Sequence, residues 1–99
     1  MKNFRTYNLS VSFYRSATAM PLPSPLKDQL KRAALSVPLN LAEGRGRRTR
    51  ADQIRFFSIA FGSVRECQAL FDIADLKDTD TYRLLDSLAA SLYKLIKKG

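Results

Sequence analysis

Residues 50–76 constrain the fold of this chain more than any other stretch. The spacing predicts one long helix there, about 40 Å from end to end at the usual helical rise. Two apolar seams run along it. One is Ile54, Phe57, Phe61, Val64, Gln68 and Phe71; the other is Phe56, Ala60, Ser63, Cys67, Leu70 and Ala74. Each keeps alternating steps of three and four, so each can pack against another helix. Ile59 and Ile73 add apolar surface near a third edge. In a four-helix bundle every helix is peripheral, so apolar surface on more than one side calls for a second subunit.

The rest of the chain supplies the partners. Leu26, Leu30, Ala33, Val37 and Leu41 form one stripe of a helix over about 25–43, with Ser24 expected as its N-cap and Pro25 at its first position. Pro38 lies inside that helix, where it removes a donor and predicts a kink or a weakened turn. Ser36, Asn40 and Glu43 share a narrow face beside it, read as a solvated face, as a repair of the disturbed hydrogen bonding by Asn40 and Glu43, or as a buried polar site. Gly44 and Gly46 are expected to end the helix as left-handed stops. Thr49 is the expected cap of the long helix, with Asp52 favourable to its dipole. Tyr82, Leu85, Leu88 or Ala89, Leu92 and Ile96 mark a last helix over about 80–97, capped by Thr79 or Asp78 and finished by Lys94, Lys97 and Lys98.

The first helix is the most ambiguous. Tyr7, Val11, Tyr14 and Ala17 keep helical spacing, while Leu9, Val11 and Phe13 alternate with serines as a strand does. A lone strand would have nothing to pair with, which predicts a helix over about 6–20. The expectation is an all-α, up-down, oligomeric four-helix bundle forming a single domain over residues 1–99.

Composition narrows the chemistry. The 99 residues contain no histidine and one cysteine, which excludes an internal disulfide, a Cys/His zinc site and any His-based triad within one chain. No metal or cofactor is expected. Glu43 and Glu66 are the only glutamates, and nothing places them as an acid–base pair, so the chain is not expected to be an enzyme. The N-terminus, with Lys2 and Arg5 ahead of Leu9–Tyr14, lacks the long clean apolar run of a secretory leader. No stretch has the length of a membrane span; a cytoplasmic location is expected.

Charge points to a partner. Seventeen Lys+Arg against nine Asp+Glu give +8, which favours polyanions. The densest cluster is Arg45, Arg47, Arg48 and Arg50 around the glycines, with Arg55 one turn later. Guanidinium groups bind phosphate bidentately, and helix N-terminal amides add a weak anion site. The expected partner is nucleic acid, RNA or DNA, bound through phosphates without base reading. The alternative is an oligomeric interaction scaffold whose basic corner meets an acidic protein.

The run Lys31-Arg32-Ala33-Ala34-Leu35-Ser36-Val37-Pro38-Leu39-Asn40-Leu41-Ala42-Glu43-Gly44, followed by Gly46-Arg47, by Arg55 to Ser63 and by Glu66, resembles the small four-helix-bundle proteins of the 23S ribosomal RNA intervening-sequence family. That fold is shared by the accessory variability determinant of diversity-generating retroelements. The resemblance implies a homopentamer with no known catalytic site; for the retroelement relatives it implies nucleic-acid binding and a reverse transcriptase as partner. It carries over Asn40, Glu43, Gly44 and Gly46, with Pro38, as structural motif residues, and Arg47 and Arg48 as the basic turn. The chain departs from the family pattern in a serine-rich first helix without tryptophan and in a short proline-rich connection after it.

Overall fold

The computed structural model describes residues 4–98, without the Phe4 side chain; Lys2, weighed above in the leader-like charge, lies outside them. They form four helices: α1 Phe4–Thr18, α2 Ser24–Arg45, α3 Arg50–Ile73 and α4 Asp80–Lys97. Among the described residues there is no strand. The helices alternate up and down around one core, with overall dimensions of 41 × 21 × 18 Å. Each packs on two neighbours: α1 on α2 and α4, and α3 on α2 and α4. The backbones of the diagonal pairs α1–α3 and α2–α4 do not approach each other; α1 and α3 touch only through core side chains such as Phe13 and Phe71. No helix of the described residues is long and apolar enough to cross a membrane.

The core follows the stripes. Phe13 and Ala17 from α1 and Leu30, Ala33, Ala34, Val37 and Leu41 from α2 are buried. So are Phe57, Ala60, Val64, Cys67 and Phe71 from α3, and Leu85, Leu88 and Leu92 from α4. The two seams of α3 divide as their spacing requires. Its inner members line the core, Phe56 and Ser63 face α2, and Phe61 meets Tyr93 of α4 with ring centroids 6.3 Å apart. Phe71 is packed between Phe13 and Tyr82, at 5.9 and 5.8 Å.

The serine content of α1 has a structural cause. Thr6 and Ser10 are buried, and two hydroxyl pairs stitch α1 to α4: Thr6 Oγ1 with Ser91 Oγ and Ser16 Oγ with Thr81 Oγ1, both at 2.6 Å. Ser10 donates to the Tyr7 carbonyl at 2.6 Å, satisfying itself within its own helix. The small polar residues that weaken the helical signal of α1 thus include its hydroxyl contacts with α4.

Several local expectations are corrected. Helix α2 begins one residue earlier than expected: Pro23 is its N-cap, without a side-chain bond, and Ser24 is already helical. The Lys27 amide donates to the Pro23 carbonyl at 2.9 Å, so the backbone alone starts the turn. Gly44 and Gly46 are not left-handed stops. The helix runs through Gly44 to Arg45, and Gly46 has φ −80° and ψ −5°. Gly44 is needed for proximity. A β-carbon there would lie 2.6 Å from Phe57 Cε1 and 3.1 Å from Phe56 Cβ, so its bare backbone lets α2 and α3 close together. The left-handed stop lies instead at Asp75, φ 58°, after α3. There the Leu76 amide donates back to Phe71 O at 2.8 Å, which ends α3 short of residue 76.

Helix α2 is continuous through Pro38, which is buried. Next to it, Asn40 Nδ2 donates to the Ser36 carbonyl at 2.9 Å and to Ser36 Oγ at 3.0 Å. Ser63 of α3 donates to the same Ser36 hydroxyl at 2.8 Å. The polar face beside the proline is therefore an interhelical hydrogen-bond network. Thr49 and Thr79 are the caps of α3 and α4, accepting from the Asp52 and Tyr82 amides at 3.1 Å.

Candidate nucleic-acid interface

Up-down topology brings four chain segments to one end of the bundle: the start of α1, the end of α2, the start of α3 and the end of α4. Those segments carry Arg5, Arg45, Arg47, Arg48, Arg50, Arg55, Lys94, Lys97 and Lys98, but only two carboxylates, Glu43 and Asp52. Among the described residues every other Asp and Glu lies in the opposite half. There Asp72 pairs with Lys77 at 3.2 Å, and Asp78 and Asp80 both hold Arg83. The net charge is thus concentrated at one pole.

The α2–α3 turn is built tightly. The amides of Gly46 and Arg47 donate to the carbonyls of Glu43 and Gly44 at 3.2 and 3.1 Å. From the first turn of α3, Gln53 Nε2 donates to the Arg47 carbonyl at 3.1 Å. Arg47 Nη2 donates to Glu43 Oε2 at 2.5 Å, one helical turn away. Its guanidinium carbon lies 4.7 Å from the Phe56 ring centroid, and that of Arg55 lies 4.6 Å from the same centroid. One aromatic ring therefore anchors two cations, a cation–π arrangement that orients both. Because Phe56 Cβ sits against Gly44, the close helix approach also positions this platform.

The five arginines are not equivalent. Arg47, Arg48 and Arg55 are exposed. Arg45 is half-buried, with its guanidinium 6.0 Å from the Tyr7 ring. Arg50 turns away from the others: its Nη2 donates to the Leu95 and Ile96 carbonyls at 2.8 and 3.2 Å, and its Nε is buried without a partner. It neutralises the negative pole of α4 and ties that helix to α3. The sequence cluster of five thus resolves into three exposed arginines, a half-buried Arg45 and one interhelical tie.

The glutamates are engaged separately, Glu43 by Arg47 and Glu66 by Arg32 of α2. Among the described residues no group of His, Cys, Asp or Glu could hold a metal. The Cys67 thiol is buried and its pKa is pushed up to about 12, mainly by desolvation and secondarily by the Glu66 charge, partly offset by Arg32.

Sequence reasoning read Lys94, Lys97 and Lys98 only as partners of the helix dipole and left Arg5 out of the charge cluster. Combining the up-down topology with the positions of the cations would have joined them. Phe56 was counted as seam residue alone; its place one residue after Arg55 was the available signal.

A four-helix bundle with a polarised basic end defines a small, basic helical-bundle class. The family model for the 23S rRNA-intervening sequence protein matches residues 4–98, and the chain belongs to that family. No curated protein matches the chain.

Proposed function

We propose that this chain is a non-enzymatic, nucleic-acid-binding accessory protein that contacts phosphates through its α2–α3 turn without reading bases. One observation carries the reading: Arg47 and Arg55 are held over one Phe56 ring beside exposed Arg48, at the pole where the positive charge gathers. Ordering a guanidinium beforehand reduces the entropy lost when it grips a phosphate. Phosphate contacts of this kind position a strand and carry no sequence information. Arg45, Arg47, Arg48 and Arg55 form the contacting set, with Arg50 as the tie behind them.

The reading extends to a homo-oligomer, a homopentamer by family resemblance. Leu35 and Leu39 of α2 and Ile59 of α3 stand exposed within one turn of the Ser36–Ser63 bond, with Ile73 further along α3. This outer α2–α3 face is the proposed subunit contact, and repeating the arginine turn around a ring multiplies weak phosphate contacts by avidity.

Fluorescence anisotropy on structured RNA and duplex DNA tests the binding. With about four phosphates neutralised per subunit, the logarithmic salt slope is expected near −3.6, a loss of roughly a hundredfold from 50 to 200 mM salt. The double substitution Arg47→Glu and Arg48→Glu is expected to abolish binding. Tight binding indifferent to salt and to that substitution overturns the reading.

A further inference from the structure

A second feature lies at the same pole, outside the arginine turn. Between the start of α1 and the end of α4 an open cavity of about 370 Å³ is walled by Arg5, Lys94 and Lys98. Thr6, Ser87 and Ser91 add hydroxyls, and Ala90 and Leu95 supply its apolar part. That volume is within the range of small-ligand sites. Helix α1 contains no acidic residue, and α4 has none after Asp86. Among the described residues no carboxylate forms an ion pair with Arg5, Lys94 or Lys98. Lys94 and Lys98 stand one turn apart on one face, a like-charge spacing that is unfavourable until an anion lies between the two.

The polar chemistry suits a phosphate. Thr6 Oγ1 and Ser91 Oγ share one hydrogen bond of 2.6 Å. Whichever hydroxyl donates, the other keeps a hydrogen that this bond does not use. The C-terminal pole of a helix ordinarily repels anions. Here Arg50 covers the Leu95 and Ile96 carbonyls, and Leu95 is also a wall of the cavity. The first turn of α1 brings the opposite, favourable pole to the other side.

We infer that this α1–α4 cavity is a phosphate-binding site, holding one nucleotide unit by its phosphate between Arg5, Lys94 and Lys98. It goes beyond the arginine-turn reading and stands on different residues. The same chemistry is offered by a free mononucleotide and by one unit of a strand, and the arms of the test separate these sources.

Uniformly 15N-labelled protein is titrated with inorganic phosphate, with adenosine monophosphate and with a short single-stranded oligonucleotide, following amide shifts. Saturable shifts centred on Thr6, Ser87 and Ser91 are expected with phosphate and, at lower concentration, with the ligand class that the site takes. A mononucleotide as effective as the oligonucleotide identifies a free nucleotide; saturation by the oligonucleotide at much lower concentration identifies a strand unit. The double substitution Lys94→Gln and Lys98→Gln is expected to raise the dissociation constant at least tenfold with an unchanged melting temperature. The arginine-turn variant Arg47→Glu with Arg48→Glu is expected to keep the cavity shifts, so failure of the turn reading and failure of this one are distinguishable. Shifts spread evenly over all basic residues, or an unchanged constant in the lysine variant, overturn the inference.

Discussion

A methyl group on Gly44 has nowhere to go. It would meet Phe57 at 2.6 Å and Phe56 Cβ at 3.1 Å, and Phe57 is itself held in the core. Helix propensity favours alanine over glycine by about 1 kcal/mol, while overpacking of this kind costs about 1–3 kcal/mol. The steric term wins. Gly44→Ala is expected to lower stability by up to about 2 kcal/mol in urea denaturation, the difference of the two terms, and to weaken nucleic-acid binding because displacing Phe56 moves the ring under Arg47 and Arg55. Cys67 gives a second expectation at this scale. Its thiol titrates near 9.0 unperturbed and at about 12 when folded. The unfolded chain therefore loses its proton first as pH rises, so this group's contribution to stability is complete below pH 9 and declines above it. Native protein is expected to resist a thiol reagent at pH 8, with labelling that follows the population of unfolded chain; fast labelling of the folded protein contradicts this burial.

At the scale of elements, the α1–α4 contact is the most informative. Removing the Ser91 hydroxyl leaves Thr6 Oγ1 buried without this bond, at a cost of about 1–3 kcal/mol, whereas removing the Thr6 hydroxyl leaves a half-buried Ser91 that water can reach and costs less. Removing both is expected to cost less than the sum of the singles, a coupling that a Thr6→Val, Ser91→Ala double-mutant cycle in urea measures; strict additivity excludes it. Helices α2, α3 and α4 were legible in sequence because their cores recur at three- and four-residue steps. Helix α1 was not clearly so, since its Thr6 and Ser16 answer to hydroxyls 85 and 65 positions away, which no local period reveals. Glycine roles failed for a related reason. The backbone habit of Gly44 is visible in sequence, but the approach of Phe57 is a tertiary fact. The arginine cluster was legible as charge. The separation of the half-buried Arg50 tie from the other arginines depends on where α4 ends.

For the whole molecule, the expected mass in solution by light scattering is a multiple of 11.2 kDa. Leu39→Glu with Ile59→Glu is expected to reduce the assembly to monomer, because both charges would be buried in the proposed contact. A compact 11.2 kDa species of the unaltered chain at micromolar concentration refutes the assembly. The arrangement of the four helices also dictates an order of events. Three of the four helix contacts join consecutive elements, and each can form as a local hairpin. The contact of α1 with α4 alone must bring together segments from opposite ends of the described chain. Loop-closure entropy places such a contact late, after the hairpins have shortened the path. The hydroxyl seam should then be unmade at the folding barrier, so Thr6→Val is expected to accelerate unfolding in stopped-flow chevrons and leave the refolding arm nearly unchanged. A slowed refolding arm would instead place ring closure at the nucleus.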